Sequence, residues 1–372
     1  MKKKKLLYFL SEDDYFLTHK LDQAKSAVKN KFEVLVICKF SKNEEKIKSY
    51  GFKTSNLNFD RKSINPLKEL FCLVKFARMV FNFKPDIIQS IALKPILYTS
   101  LLSPYIQKAK IMLCVVGLGY LFIDEKGSTK LIKKAYLFLL KIFLSKKNSH
   151  FIFQNNEDKK IIVKYLKLKN SEISIIKGSG VDTNKFIKKR TTKIFDLIFH
   201  SRILYDKGFI ELIEAIKKIR KKRSISALVL GSPDPKNRSC VELDKIKRWQ
   251  DQGLIRWEKK KENVIPFIQK SKIAVLPSYR EGLPKALLEA ASCELPIITS
   301  DTAGCNEICI NEYNGLLVPV KDHISLANAI EKILDNKKLA GFYGRNGRRL
   351  VLKMFSSKIV QKKFLQIYKQ KN

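Results

Sequence analysis

The segment Pro277–Glu289 (Pro-Ser-Tyr-Arg-Glu-Gly-Leu-Pro-Lys-Ala-Leu-Leu-Glu) holds the most chemistry in the chain. Two carboxylates, Glu281 and Glu289, stand eight residues apart, and each can accept hydrogen bonds from sugar hydroxyls. The apolar run Ile273–Leu276 before them reads as a buried parallel strand. Pro284 suits the first turn of a helix, where a missing N–H costs nothing. The order is therefore strand, loop and helix N-terminus, with Glu281 in the loop and Glu289 inside the helix. Loop amides and a helix N-terminus favour phosphates. The arrangement suits a sugar-bearing anion.

A second constellation runs from His200 to Gly208 and precedes the helical pattern Phe209–Arg220. Arg202 and Lys207 flank its strand-to-helix turn. Arginine can clamp two phosphate oxygens and lysine supplies a compact charge, so the pair could neutralise a departing diphosphate. The plain alternative is two solvated cations. No Asp-x-Asp occurs, the seven cysteines show no Cys-x-x-Cys spacing, and the four histidines are scattered. No metal is expected.

These residues need a frame. Short apolar runs alternate with helical patterns almost throughout, which is the signature of βαβ units on a parallel sheet. The first series of strands is Leu6–Leu10, Val34–Cys38, Asp86–Ile91, Ile111–Val116, Phe151–Phe153 and Ile173–Ile176. Helical patterns lie between them, including Thr18–Val28 and Pro66–Phe83. After a linker-like stretch (Lys177–Asp182, then the basic Lys188–Thr192) a second series starts: Asp196–Phe199, Ala227–Leu230, Ile273–Leu276, Pro296–Thr299 and Leu316–Val318. Two doubly wound domains with a cleft between them are expected, with ligands beyond the carboxyl ends of the strands.

Composition sets further bounds. At 372 residues the chain suits two domains. Its 74 Lys+Arg against 35 Asp+Glu give a net charge of +39, which suits nucleic acid, an anionic membrane surface, or a lysine bias without function. The lysines spread over the whole chain. The basic start Met1–Lys5 leads into only five apolar residues, too few for a signal core and better explained as a first strand. Two glycines interrupt the run Ile111–Ile123, which falls short of the ~18 residues a membrane span needs. An odd number of unpatterned cysteines points to a reducing cytoplasm.

Ser201-Arg202-x4-Lys207-Gly208, Pro277-Ser278-x2-Glu281-Gly282-x-Pro284-x4-Glu289 and Asn314–Pro319 together resemble the family 4 retaining glycosyltransferases of GT-B fold. The similarity is greatest to a bacterial branch that extends lipid-linked oligosaccharides for capsule, O-antigen or N-glycan. Val116–Phe122, Phe153-Gln154-Asn155 and Gly178–Asp182 match that branch as well, so the resemblance covers nearly the full length. It implies an α/β fold of two Rossmann-like domains facing across a cleft. Residues 1–184 would bind the acceptor and 193–350 the nucleotide sugar, with the C-terminal helix of 351–372 returning to the first domain.

The resemblance also implies roles. Arg202 and Lys207 would bind the donor diphosphate beside Ser201, Glu281 would contact the transferred sugar, and Glu289 would take the ribose hydroxyls. Amides around Gly282 and Leu283 would line the phosphate path, and Lys259 would face the base. Arg202, Lys207 and Glu281 are the expected catalytic residues. Retention in this family proceeds on one face of the donor sugar, with the leaving phosphate oxygen taking the acceptor's proton, which asks the protein for positioning and charge stabilisation. The co-substrate would be UDP-linked, with no resident cofactor. Two departures stand out: the usual Gly-rich loop after the first strand is Ser11–Phe16 here, and Val116 stands where relatives carry a histidine. Asp13, Asp14, His19, Lys94, Gly117 and Gly119 are the acceptor-side candidates, with Glu12 a further acidic residue near the cleft.

Leu131–Leu144, punctuated by Lys133, Lys134 and Lys141 and followed by Lys146 and Lys147, reads as a basic, strongly apolar helix; Leu70–Phe83, with Lys75 and Arg78, is a second. Such helices can lie in a membrane interface, or be core helices whose lysine stems snorkel to water. The family tilts the reading to peripheral docking on the inner face of the cytoplasmic membrane, where a polyprenyl-diphosphate-linked saccharide would be the acceptor. A nucleotide-sugar epimerase of the same architecture is the rival enzyme, against which the Glu281–Glu289 context argues. A nucleic-acid-binding protein would cluster its cations on one face among stacking aromatics, and no such module is visible. No nucleic-acid partner is expected.

Overall fold

Strands β1 (Lys4–Glu12), β2 (Phe32–Lys39), β3 (Lys53–Asn56), β4 (Ile87–Ile91), β5 (Lys110–Val115), β6 (Ser149–Phe153) and β7 (Ile173–Ile175) form one sheet in the order β3-β2-β1-β4-β5-β6-β7. A second sheet is built from β8 (Phe195–His200), β9 (Ala227–Leu230), β10 (Arg256–Glu258), β11 (Ser271–Leu276), β12 (Ile297–Ser300) and β13 (Gly315–Val318), in the order β10-β9-β8-β11-β12-β13. Every pairing is parallel. This computed structural model describes residues 3–60, 65–123, 127–235 and 237–370; Met1 and Lys2 of the basic start lie outside them. The chain divides into two compact units, residues 1–179 with 360–372, and residues 180–359.

Strands buried on both faces read as unbroken apolar runs, and β1 shows why. Its successive side chains point to opposite layers. Leu7 and Phe9 pack with Phe76 and Val80 of the Pro66–Phe83 helix, whereas Leu6, Tyr8 and Leu10 pack with Phe16, Ala24 and Phe364. The last of these belongs to the Ser357–Lys369 helix, whose Val360, Phe364, Ile367 and Tyr368 are buried in the first unit's core. A polar knot fastens the helix there. Tyr368 Oη meets Tyr8 Oη at 2.9 Å, accepts from Gln23 Nε2 at 2.5 Å and donates to Gln89 Oε1.

Eleven expected strands form, with ends shifted by a few residues. The short edge strands β3 (Lys-Thr-Ser-Asn) and β10 (Arg-Trp-Glu) were not foreseen, because each holds its place by backbone pairing at a sheet edge and neither carries an apolar run. Two expectations are corrected. Ser11 and Glu12 are strand residues and Asp13 opens a helix, so Ser11–Phe16 is not a loop. The helix read over Thr18–Val28 is two helices, Asp13–His19 and Leu21–Lys29. They break at Lys20, which is buried with its ammonium 5.0 Å from the centre of the Phe364 ring.

Candidate active site

At the carboxyl ends of the second sheet, loops 201–208 after β8 and 277–284 after β11 carry the main candidates, and loop 301–314 after β12 is tied to them. Hydrogen bonds sew them together. Tyr279 N donates to Asp206 O at 2.9 Å, and Glu281 N donates to Ala303 O at 3.0 Å. Ser278 Oγ donates to Asp206 O at 3.1 Å and Thr302 Oγ1 to Tyr279 O at 2.9 Å. Two left-handed glycines permit this closeness. A Cβ on Gly208 (φ +69°) would sit 1.9 Å from Pro277 O, and one on Gly304 (φ +78°) 2.4 Å from Glu281 O. Neither position has room for a side chain.

Within that knot Lys207 Nζ lies 2.5 Å from Glu281 Oε1, and both side chains are mostly buried. Asp206 sits beside them. Burial pushes its carboxyl above the ordinary range, with Lys207 opposing and Glu281 reinforcing the rise; its Oδ1 is buried without a hydrogen-bond partner. Arg202 is half-exposed, and its Nη1 donates to Asp234 Oδ2 at 2.8 Å, from the loop after β9. That loop is held in turn by Tyr205 N to Ser239 O (2.7 Å) and Asp206 N to Ser239 Oγ (2.8 Å). Ser201 N donates to Leu230 O at 3.3 Å, continuing the β8–β9 ladder.

Pro284 precedes the Lys285–Ser292 helix, which carries Glu289 inward. Its carboxylate faces Lys285 Nζ at 3.8 Å and His200 Nδ1 at 3.6 Å. Burial holds the His200 imidazole below its ordinary pKa, with Glu289 pulling the other way. Gly282 and Leu283 are buried in the loop between the two glutamates. Lys259 is exposed beyond β10, two places from β8 in the sheet. Placement beside strand ends, together with the family resemblance, brought out Arg202, Lys207, Glu281 and Glu289 as candidates. Neither singled out Asp234, Asp206 or His200, whose only sequence signal is adjacency to a strand end or to a named cation.

In the first unit the acceptor-side candidates are drawn into local structure. Asp13 Oδ2 accepts from the backbone N–H groups of Ser41 (3.0 Å), Lys42 (3.2 Å) and Asn43 (3.0 Å), and Oδ1 accepts from Ser41 Oγ at 3.0 Å. Burial alone would raise its pKa, but these donors outweigh burial and hold it below the ordinary value. Asp14 Oδ1 accepts from Asn43 Nδ2 at 3.1 Å. His19 stacks on Tyr15 with ring centres 4.3 Å apart. Lys94 Nζ lies 2.7 Å from Glu69 Oε2 and donates to Asp60 O at 2.5 Å. Gly117 and Gly119, after β5, both have positive φ. Among the described residues no group of three or more His, Cys, Asp or Glu is placed to hold a metal ion, and all seven cysteines are free.

The Pro66–Phe83 and Gly127–Phe143 helices both pack on the Leu93–Leu102 helix. Each also leaves an apolar face uncovered: Leu67, Leu70, Phe71, Val74 and Phe81 on the first, Leu131, Phe138 and Ile142 on the second. Exposed cations border both faces, among them Lys75 and Arg78, then Lys134 and Lys141. Among the described residues no helix is long and apolar enough to cross a membrane.

Comparison with known proteins finds two family models. "Glycosyl transferases group 1" matches residues 181–350, and "Glycosyl transferase 4-like" matches residues 5–156. The chain is 27% identical, over 97% of each chain, to the N,N'-diacetylbacillosaminyl-diphospho-undecaprenol alpha-1,3-N-acetylgalactosaminyltransferase of Campylobacter jejuni. It is 29% identical to the UDP-Gal:alpha-D-GlcNAc-diphosphoundecaprenol alpha-1,3-galactosyltransferase of Escherichia coli, over 79% of this chain and 78% of that one. A solved glycosyltransferase from Rickettsia africae superposes with a TM-score of 0.76 at 19% identity, over 99% and 98% of the two chains. The fold, with its two parallel α/β sheets, is of the GT-B class.

Asp13 supplies a stability test. Its folded pKa is depressed, so its contribution is fully present above the unfolded value near 3.8 and is lost as pH falls through the folded one. Asp13→Asn should lower unfolding free energy at pH 7 by about 2 kcal/mol, the scale of hydrogen bonds to a charged group. The gap to wild type should narrow in urea titrations as pH falls from about 4 toward the folded pKa; an equal gap at pH 7 and pH 3 would contradict this.

Proposed function

Because the chain belongs to the group 1, family 4 retaining glycosyltransferases, we propose that it moves an N-acetylhexosamine from a UDP-linked donor to a polyprenyl-diphosphate-linked saccharide in cell-surface glycan synthesis. The observation that carries this reading is the meeting of Lys207 and Glu281 at the carboxyl ends of one parallel sheet, where ligands of such sheets bind. Arg202 and Lys207 take the diphosphate and stabilise the charge that grows on it as the glycosidic bond breaks. Glu281 holds hydroxyls of the transferred sugar, Glu289 those of the ribose, and amides at Gly282 and Leu283 line the phosphates. Ser201 and Lys259 flank the nucleotide. The leaving phosphate oxygen accepts the acceptor's proton, so positioning of the two substrates is the protein's main task.

The names of both curated relatives support the acceptor class, each printing an undecaprenol diphosphate-linked saccharide, and the Escherichia coli name supports a UDP-linked donor. The Campylobacter jejuni name supports an N-acetylated sugar. The acceptor side belongs to the first unit, around Gly117 and Gly119, with Asp13, Asp14, His19 and Lys94 shaping its surroundings. The two uncovered apolar helix faces with their cations suit docking on an anionic bilayer at the cytoplasmic side.

Two measurements follow. With a UDP-sugar panel and a lipid extract as acceptor source, wild type should release UDP only when the lipid fraction is present. Glu281→Gln should lose at least about a hundredfold in rate, the scale of a lost transition-state contact. Undiminished turnover in that variant would remove Glu281 from the sugar site. In vesicle sedimentation, wild type should bind bilayers containing anionic lipid, and a Leu70→Glu/Phe71→Glu double variant should bind at least about tenfold more weakly. Equal binding of the two proteins would refute docking through this face.

A further inference from the structure

His200 ends β8, two residues before Arg202, and has no part in the roles above. Its Nδ1 is buried without a hydrogen-bond partner and lies 3.6 Å from Glu289 Oε2. That separation is too long for a hydrogen bond, and a side-chain shift of about 0.6 Å would make one. Among the described residues, the charged groups acting on the ring are Glu289 and Lys285, both on the Lys285–Ser292 helix. Burial most of all disfavours the charged imidazole, Glu289 opposes this, and Lys285 adds to it. A neutral ring carries one proton. A lone pair aimed at a carboxylate would be repelled, so the proton belongs on Nδ1, facing Oε2.

We propose that His200 is a positioning residue for Glu289, its Nδ1–H fixing one carboxylate oxygen so that the remaining lone pairs are presented to the two hydroxyls of a ribose. This rests on the reading of Glu289 as the ribose acceptor. A carboxylate offers about four lone-pair sites. Oε2 is steadied by His200 and Oε1 faces Lys285, which leaves both oxygens aimed but with capacity to spare. A nucleotide lacking one hydroxyl then strands a buried acceptor, so the pair selects a ribose cis-diol over a deoxyribose.

The test is calorimetric titration of the full chain with UDP and with 2′-deoxy-UDP. It compares wild type, Glu289→Gln, His200→Phe, His200→Asn and His200→Gln. Asparagine can place an amide N–H where Nδ1 sits, whereas glutamine reaches to the Nε2 position. Wild type and His200→Asn should prefer UDP over the deoxy ligand by about tenfold, the scale of one hydrogen bond to a charged group. His200→Phe and His200→Gln should bind UDP about tenfold more weakly and lose most of that preference. A wild-type preference in His200→Phe, with the preference lost in Glu289→Gln, would overturn the role of His200 and leave Glu289 as ribose acceptor. A preference unchanged in Glu289→Gln as well would overturn the reading of Glu289 and the role of His200 with it. If His200→Phe does not fold, the asparagine and glutamine variants decide, and equal behaviour of the two overturns the proposal.

Discussion

One ion pair organises the second unit. Lys207 and Glu281 come from loops 74 residues apart in sequence and meet at 2.5 Å, both mostly withdrawn from water. Losing one partner of such a pair loosens the hold between the two loops, because the other charge is then costlier to keep away from water. The loops after β8 and β11 therefore keep their shapes together. The bonds from Tyr279 N to Asp206 O and from Glu281 N to Ala303 O extend the dependence to the loop after β12. Gly208 and Gly304 are the backbone condition for it, since a Cβ at either would collide with a carbonyl oxygen. A closely stitched edge of this kind holds in place, before any ligand arrives, the loops that carry Arg202, Lys207 and Glu281, so their side chains need turn only a short way to meet developing charge.

The strands and their ends were legible in the sequence, whereas the Lys207–Glu281 pair was not. The buried strands announced themselves because parallel strands covered on both faces must be apolar throughout, as Leu6–Leu10 and Ile273–Leu276 are. The cations and carboxylates proposed for the site could be singled out because a sheet of this type fixes where strand-to-loop junctions lie. Polar residues that act through partners could not. Asp234 meets Arg202 only because β9 lies beside β8, and His200 meets Glu289 only because the Lys285–Ser292 helix carries that carboxylate back across the strand end. Spacing cannot report sheet order. The break at Lys20 was hidden for a related reason, since a lysine reads as solvent-facing until an aromatic ring such as Phe364 is found beneath it.

The 74 Lys and Arg occupy quite different places in the fold. Some are spent inside the fold, as when Lys94 pairs with Glu69 or Lys110 Nζ donates to Ile367 O at 2.9 Å. Others stand exposed along the Pro66–Phe83 and Gly127–Phe143 helices beside uncovered leucine, phenylalanine and isoleucine. A solvated helix normally hides its apolar stripe and shows its charges. These two hide one stripe in the core and show another, mixed with cations, and the proposed docking on a bilayer rests on that pattern.

The central claim is that the stitched edge of the second sheet receives the donor nucleotide. It is tested most directly by the structure of the full chain soaked or co-crystallised with UDP. The account predicts the diphosphate against Arg202 and Lys207, with Lys207 turned from Glu281 toward a phosphate oxygen, and both ribose hydroxyls on Glu289. UDP bound elsewhere, with the Lys207–Glu281 pair unchanged, would contradict it.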